Sequence, residues 1–563
     1  MAAEMLSAGA AVACYVCTLA AFLGLALGVL YFNRSLYNKD NAEEHMMARN
    51  SQGTVSMSLS FFASGAGAWV FFTLPEAAIL GGPIAVAGYT LSCIAPLLII
   101  GCIGSYFRRE LPNGCTFFEY IQVRFGTVMN VYCTLVSLFY LFLYLSAEFS
   151  SVGSCVVTMS KLEDPLGPVI ATSLVTLAYT SIGGMPVSLV TDKVQGAGVF
   201  ILAIVVSIAA FSFYTSPTSS EATSEVVENW EMVTSYGLGG SAGKSVKMAI
   251  ILISAVTCAN MMHSGYQQRI WAASDDKHMW RGALGGSLLT MPLMVLFGVI
   301  GMVAFANFGI SGLVAVGPDN TYLAFLAAFF LVNAMGPVWQ AFTIILAVMM
   351  VASSADTIQT GAAALLRPIT TSFLDKISPG ASSNPKSLVG VNLVVTAVLI
   401  NIPAIALSTA GVSVLSLFVL ADLVCATAIV PLLLGLWPRL HHNAAVAGCF
   451  AGLASALIIF GVSVPDVATG EPENMDKTTG QFVPMKMLLE PGGLYSETSL
   501  VGFIVVPLAS GLVTLIANIP YYLKGYRFAG YETEEMGLPT EEKGLPTEEK
   551  GDGQSKAAVQ VSL

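Results

Sequence analysis

Apolar stretches of about twenty residues, separated by polar links, recur from residue 8 to residue 522. Such a run, with few charges, crosses a bilayer as one helix, because a helix satisfies its own backbone groups where no water can. Thirteen spans are predicted, at 8–31, 54–79, 82–106, 128–159, 166–183, 190–214, 247–266, 282–306, 336–364, 387–409, 411–436, 444–464 and 498–522. Two acidic links, 215–246 and 465–497, are long. From 526 to 563 the chain turns polar, and Gly537–Lys543 recurs as Gly544–Lys550, a composition that predicts a disordered tail.

Lysine and arginine orient these spans. With the N-terminus outside, sixteen basic residues before the distal tail fall in inner segments, from Arg34, Lys39 and Arg49 through Arg269 and Arg439 to Arg527. Only Lys161, Lys244, Lys247, Lys477 and Lys486 fall outside. This satisfies the positive-inside rule and places the C-terminus in the cytoplasm. An all-α polytopic protein of the plasma membrane is expected.

Composition supports lipid as the solvent. The chain is 55% hydrophobic and 10% charged, against about 25% charged in soluble domains. The N-terminus lacks a basic stretch, so the first span is expected to be retained rather than cleaved. Most of the ten cysteines lie inside apolar runs, as Cys14, Cys93 and Cys425 do, which argues against a disulfide framework. No basic patch suits nucleic acid. The Gly-Ser-Ala-Gly-Lys-Ser run ending at Ser245 lacks the first glycine of a phosphate loop, which would fall on Leu238. With no nucleophile motif and no metal-ligand spacing, no enzyme is expected and no cofactor beyond a coupling ion.

Candidate chemistry lies where the apolar pattern is interrupted. The second span carries Ser64-Gly65-Ala66-Gly67-Ala68-Trp69 and then Pro75, and the seventh carries Asn260-Met261-Met262-His263-Ser264-Gly265. Small residues in mid-span permit either close helix packing or an unwound turn. Interruptions at matching positions of oppositely directed spans point to the binding site of an inverted-repeat transporter, with spans 2–6 and 7–11 as the repeats. Ser353 and Ser354 in the ninth span suit a hard cation such as Na⁺, or else bond back to their own helix. Glu148, Asp356 and Asp422 sit within spans, with Asp192 near an inner end, and no lysine or arginine is expected deep in any span. Buried carboxyls without a basic partner must face a cavity, carry a proton, or meet Na⁺, H⁺ or a cationic substrate.

Four segments carry a resemblance. Ala63–Pro75 resembles the first core helix of proline symporters, Tyr179–Gln195 their Tyr-Thr, Gly-Gly, Thr-Asp, Gln signature, and Tyr266–Ala273 their Gln-Arg segment; Ser353-Ser354-Ala355-Asp356 matches a fourth. Over residues 45–440 the chain is similar to the sodium:solute symporters. The resemblance implies a LeuT-like five-plus-five inverted repeat over 46–440. An extra span and inner loop (1–45) precede it, and two further spans with a long outer loop (441–525) follow. It implies a cation site of backbone carbonyls at Ala63, Ala66 and Met350 with the Ser353 and Ser354 hydroxyls. It also puts Trp69 and His263 in the substrate site, which Glu148 and Asp422 would join, and Asp192 and Asp356 on the ion route. Gly65 and Gly67 stand where proline symporters carry an aspartate and a hydroxyl, which weakens proline as the solute. The expected function is symport, with Na⁺ or H⁺, of a small polar solute such as urea, a polyamine or another amine-bearing compound. Proline or another organic solute, a passive facilitator and a solute sensor are the alternatives.

Overall fold

The computed structural model describes residues 5–32, 48–112, 114, 116–215, 219–313, 324–378, 385–410, 414–465 and 491–528, with single residues at 470, 473, 483 and 486. Most of the tail expected at 526–563 lies outside the described residues. The chain forms α1 (Ala8–Phe32), α2 (Thr54–Gly65), α3 (Val70–Glu110), α4 (Phe117–Phe125), α5 (Thr127–Met159) and α6 (Leu166–Phe213). Next come α7 (Ser224–Ser235), α8 (Ala242–Met261), α9 (Ser264–Ala272), α10 (Asp276–Leu313), α11 (Ala327–Met335) and α12 (Pro337–Ile377). The chain closes with α13 (Pro385–Thr396), α14 (Ile402–Ser408), α15 (Val414–Leu434), α16 (His442–Val462) and α17 (Glu497–Leu523).

Polarity runs inside out. Leu135, Leu288 and Leu508 are each more than 60% exposed, whereas Glu148, Asp192, Arg269 and Asp356 are fully buried. In water that arrangement would be unfavourable on both counts; in lipid the outer leucines are solvated and the polar groups meet one another.

Eleven helical segments among the described residues are long and apolar enough to cross a membrane, two fewer than the thirteen expected. The difference lies in α3 and α6, where helical hydrogen bonding carries across a predicted boundary. Straight, the 41 residues of α3 would reach about 60 Å at 1.5 Å per residue, roughly twice the hydrocarbon thickness. Each long helix instead contains a glycine far from helical geometry, Gly82 (φ 62°, ψ −157°) in α3 and Gly184 (φ 58°, ψ −158°) in α6. Only glycine adopts that backbone cheaply. Between α13 and α14 a π-turn, Ala397–Asn401, precedes Pro403, whose missing N–H leaves the ladder one partner short.

The two interruptions expected from the sequence are present. α2 ends at Gly65 and α3 begins at Val70, leaving Ala66–Trp69 outside both helices. α8 ends at Met261 and α9 begins at Ser264, with His263 extended at φ −75°, ψ 99°. At one end of the molecule the chain before α2 pairs with the end of α9. Asn50 N–H donates to Trp271 O, Ser51 and Gln52 N–H to Ala272 O, and Ser274 N–H back to Gln52 O. Arg108 donates to the carbonyls of Ile270 and Ala273 and to Asn50 Oδ1, and pairs with Asp276 at 3.1 Å. Just beyond, hydrogen bonds from the His278 backbone N–H and ring hold the Asp275 carboxyl below the usual range.

Candidate functional site

The α2–α3 break is held open by side chains from other helices. A Cβ at Gly65 would strike the Tyr266 hydroxyl, and one at Gly67 the Glu148 carboxylate. The two positions where proline symporters carry polar side chains are therefore glycine here because α5 and α9 fill that space. Glu148 Oε2 accepts from Ala68 N–H at 2.9 Å, within the break. Its Oε1 is buried without a hydrogen-bond partner, and Ser354 lies close enough to interact with the carboxylate.

A second bridge runs beside the first. Ser60 of α2 donates to Asp192 Oδ2 at 2.6 Å, and Ser353 of α12 donates to Asp192 Oδ1 at 3.0 Å. One chain of contacts thus runs Ser60–Asp192–Ser353 and the other Ala68–Glu148–Ser354. Between them lie Ala63 in the last turn of α2 and Ala66 at its end. On α12, Met350 sits one turn before Ser354, and its carbonyl accepts the Ser354 hydroxyl at 3.2 Å, with Val351 O at 3.3 Å. Ser354 is therefore bonded back to its own helix, while Ser353 reaches across to α6. The Ser353 and Ser354 hydroxyls and the two carboxylates they approach make this part of the fold rich in oxygen, the ligand type that a hard cation takes.

Arg269 corrects the expectation that no basic residue is buried. The positive-inside count placed it in an inner loop, but α9 continues inward past His263 and carries the guanidinium to full burial. It pairs with Asp192 Oδ2 at 2.8 Å and donates to Ser60 Oγ, Gly265 O and Thr357 Oγ1 at 2.8, 2.7 and 3.0 Å. Burial of such a charge is tolerable only when paired and hydrogen-bonded. Asp356, the second residue expected on the ion route, accepts from Ser188 at 3.0 Å and Tyr179 at 3.1 Å. Asp192 and Asp356 thus belong to one polar network, joined through Thr357, which bonds both Arg269 and Asp356.

Aromatic rings line the other side of the break. Trp69 stacks on Tyr89 with centroids 5.7 Å apart, meets Phe418 edge-on at 5.6 Å, and donates from Nε1 to the Tyr144 hydroxyl at 3.0 Å. Tyr144 in turn contacts Phe418 and His263, and His263 stacks on Tyr266 at 4.5 Å. His263 is fully buried with neither ring nitrogen hydrogen-bonded. Asp422 lies one turn beyond Phe418 on α15, 3% exposed and within electrostatic reach of Tyr89 and Tyr140. The structure so brings Trp69, His263 and Glu148 to one aromatic cluster, with Asp422 within electrostatic reach of its tyrosines. Aromatic faces beside carboxylates suit a cation.

The sequence reading assigned no site role to the tyrosines of this cluster, Tyr89, Tyr140, Tyr144 and Tyr266, although Tyr266 heads one of the four matched segments. Tyr140 and Tyr144 are spaced i, i+4 on α5, with Glu148 four residues further; that shared helical face was the available signal. Ser60 and Thr357 gave none, because each matters through partners brought together only by the fold, Ser60 through Asp192 and Arg269 and Thr357 through Arg269 and Asp356.

A model described as the sodium:solute symporter family matches residues 45–452. The spermidine transporter DUR31 of Candida albicans is 26% identical over 504 residues, covering 87% of this chain and 86% of that protein. The high-affinity proline transporter PutP of Bacillus subtilis is 26% identical over 193 residues, 33% of this chain and 40% of that one. Among solved structures, a Na⁺-coupled sialic acid symporter in a substrate-bound outward-open state superposes with a TM-score of 0.67 at 16% identity, over 90% of this chain and 97% of that chain.

Proposed function

The chain belongs to the sodium:solute symporter family and is accordingly a Na⁺-coupled secondary transporter in the membrane rather than an enzyme; we propose that the solute it carries is an amine-bearing cation of the polyamine class. The observation that carries this reading is the balance of buried charge. Glu148 and Asp422 border the aromatic cluster around Trp69, taken here as the solute chamber, and among the described residues no lysine or arginine forms an ion pair with either. The buried Arg269 is already committed to Asp192. A protonated amine supplies the missing positive charge and finds ring faces to contact. The likeness to a spermidine transporter along most of both chains supports the same class.

In this reading Na⁺ binds the Ala63, Ala66 and Met350 carbonyls and the Ser353 and Ser354 hydroxyls. Bound there, it joins the broken helix to α12, and the Glu148 carboxylate faces the ion's side and the chamber's side together. The amine sits against Trp69 with His263 and Asp422 around it. The N-terminus is outside, the pairing of residues 50–52 with 271–274 closes the cytoplasmic side, and α3 and α6 each cross twice by reversing at Gly82 and Gly184. Ion and solute together favour the closed chamber because they bind it better than either open form. Opening the cytoplasmic pairing then releases both past Asp192 and Asp356.

Uptake into proteoliposomes tests the reading, with Na⁺ and pH gradients imposed separately and with spermidine, putrescine, urea and proline as solutes. Concentrative, Na⁺-driven spermidine uptake is expected. Uptake of urea or proline with no amine transport would refute the amine assignment.

A further inference from the structure

The face of α12 that carries Ser353 runs on into a cavity. Ser353, Asp356, Thr360 and Ala363 follow one another at helical spacing along that face, a rise of about 15 Å. Ser353 is bonded to Asp192, and Asp356 accepts from Tyr179 and Ser188. Thr360 and Ala363, one and two turns past Asp356, line a cavity of about 50 Å³ between α6, α12 and α13, room for about three or four water molecules. Gly184, where α6 departs from helical geometry, forms part of its wall. So does Gln268, one turn before the end of α9 that pairs with residues 50–52. The cavity therefore lies on the same side of the ion site as that pairing.

The chemistry of its wall is one-sided. Thr180, Ser181 and Thr360 each spend the hydroxyl proton on a carbonyl of their own helix, which leaves them oxygen lone pairs to offer rather than donors. Gln359 spends its amide N–H groups on Thr176 and Asn401, and its Oε1 is buried without a hydrogen-bond partner, as is Thr396 Oγ1. All five residues line the cavity. Buried oxygens left unmatched are costly unless a donor or a cation meets them. The described residues of the wall include no charged side chain. The site therefore offers neutral oxygen, the ligand type of a hard cation and its water, with no carboxylate to retain the ion.

We infer that this cavity is the ion's own way out: past Asp356, Na⁺ enters it, exchanges carboxylate oxygens for neutral side-chain oxygens and water, and leaves without the solute. This rests on the ion route proposed above and not on the identity of the solute. Passage requires a site that binds well enough to be entered and weakly enough to be left. Asp192 and Asp356 supply charge on the near side, and the threonines, Ser181 and Gln359 supply uncharged oxygen beyond it. An extended polyamine is larger than room for a few waters, so the two cargoes part at Asp356.

The test measures spermidine movement in proteoliposomes in two ways. Net uptake into Na⁺-free vesicles requires the ion to be released inside. Exchange of labelled for unlabelled spermidine, with saturating Na⁺ on both faces, proceeds with the ion still bound. Ala363→Phe fills the cavity, and Thr360→Val removes one of its oxygens at nearly constant shape. Ala363→Phe is expected to lower net uptake at least tenfold and Thr360→Val at least threefold, while exchange changes less than twofold in each. A ratio of net uptake to exchange equal to that of wild type, in either variant that folds, overturns the exit, whether both rates hold or both fall. If the larger side chain prevents folding, Thr360→Val decides. Wild-type protein that moves urea or proline but no spermidine overturns the amine class alone, and the same ratio measured with that solute still decides the exit.

Discussion

Ser353 and Ser354, adjacent in sequence, bond in different directions, one to Asp192 on α6 and the other to its own helix. Both hydroxyls can turn to a cation without moving the backbone. The double substitution Ser353→Ala with Ser354→Ala is expected to raise the Na⁺ concentration for half-maximal uptake at least tenfold, about 1.4 kcal/mol of binding, with expression unchanged. Unaltered Na⁺ dependence would remove these hydroxyls from the ion site. The Arg269–Asp192 pair makes a separate prediction. Asp192→Asn or Arg269→Met alone strands a buried charge or its donors and is expected to cost about 3–5 kcal/mol. The double variant should cost less than the sum of the two, a coupling read from a thermal double-mutant cycle. Additive losses would mean the pair is not coupled. At this scale the sequence was partly legible. Glu148 and the serines announce themselves as polar groups in apolar runs. Arg269 did not, because a basic residue near a span end is counted as loop until the fold turns that end inward.

Helical elements were read most securely where composition forces a break. Gly65, Gly67 and His263 interrupt apolar periodicity, and the helices break there. Breaks inside continuous helices were read as boundaries between spans, since Gly82 and Gly184 are flanked by apolar residues on both sides and only their dihedral angles distinguish a kink from a link. The pairing of residues 50–52 with 271–274 had no sequence signal, because it is made by main-chain groups. Arg108 is its principal side-chain support. Arg108→Ala is expected to loosen that end. Single cysteines placed near Ser274 should then react with a membrane-impermeant thiol reagent several-fold faster from the cytoplasmic side, and Na⁺ should slow the reaction. Unchanged reactivity would mean that Arg108 does not hold the closure.

For the molecule as a whole, bound Na⁺ stabilises only the folded form. Thermal unfolding in detergent should shift upward with Na⁺, approaching about 2.7 kcal/mol at a hundred times the dissociation constant, while K⁺ at equal ionic strength gives no such shift. Identical curves in Na⁺ and K⁺ would contradict ion binding to the resting state. The fold class was legible at this scale because lipid imposes a coarse rule, long apolar helices with basic residues on one side. The chamber was not, since it depends on which faces of α3, α5, α9 and α15 meet.

The pairing of residues 50–52 with 271–274 is peptide group on peptide group, so apart from Arg108 it draws little on side-chain identity. The cluster around Trp69 is the reverse, built from rings and carboxylates. In the transport cycle proposed above, discrimination and release therefore answer to separate sets of atoms. A substitution that retunes the cargo leaves the latch as it was, and one scaffold can exchange one solute for another without relearning how to open.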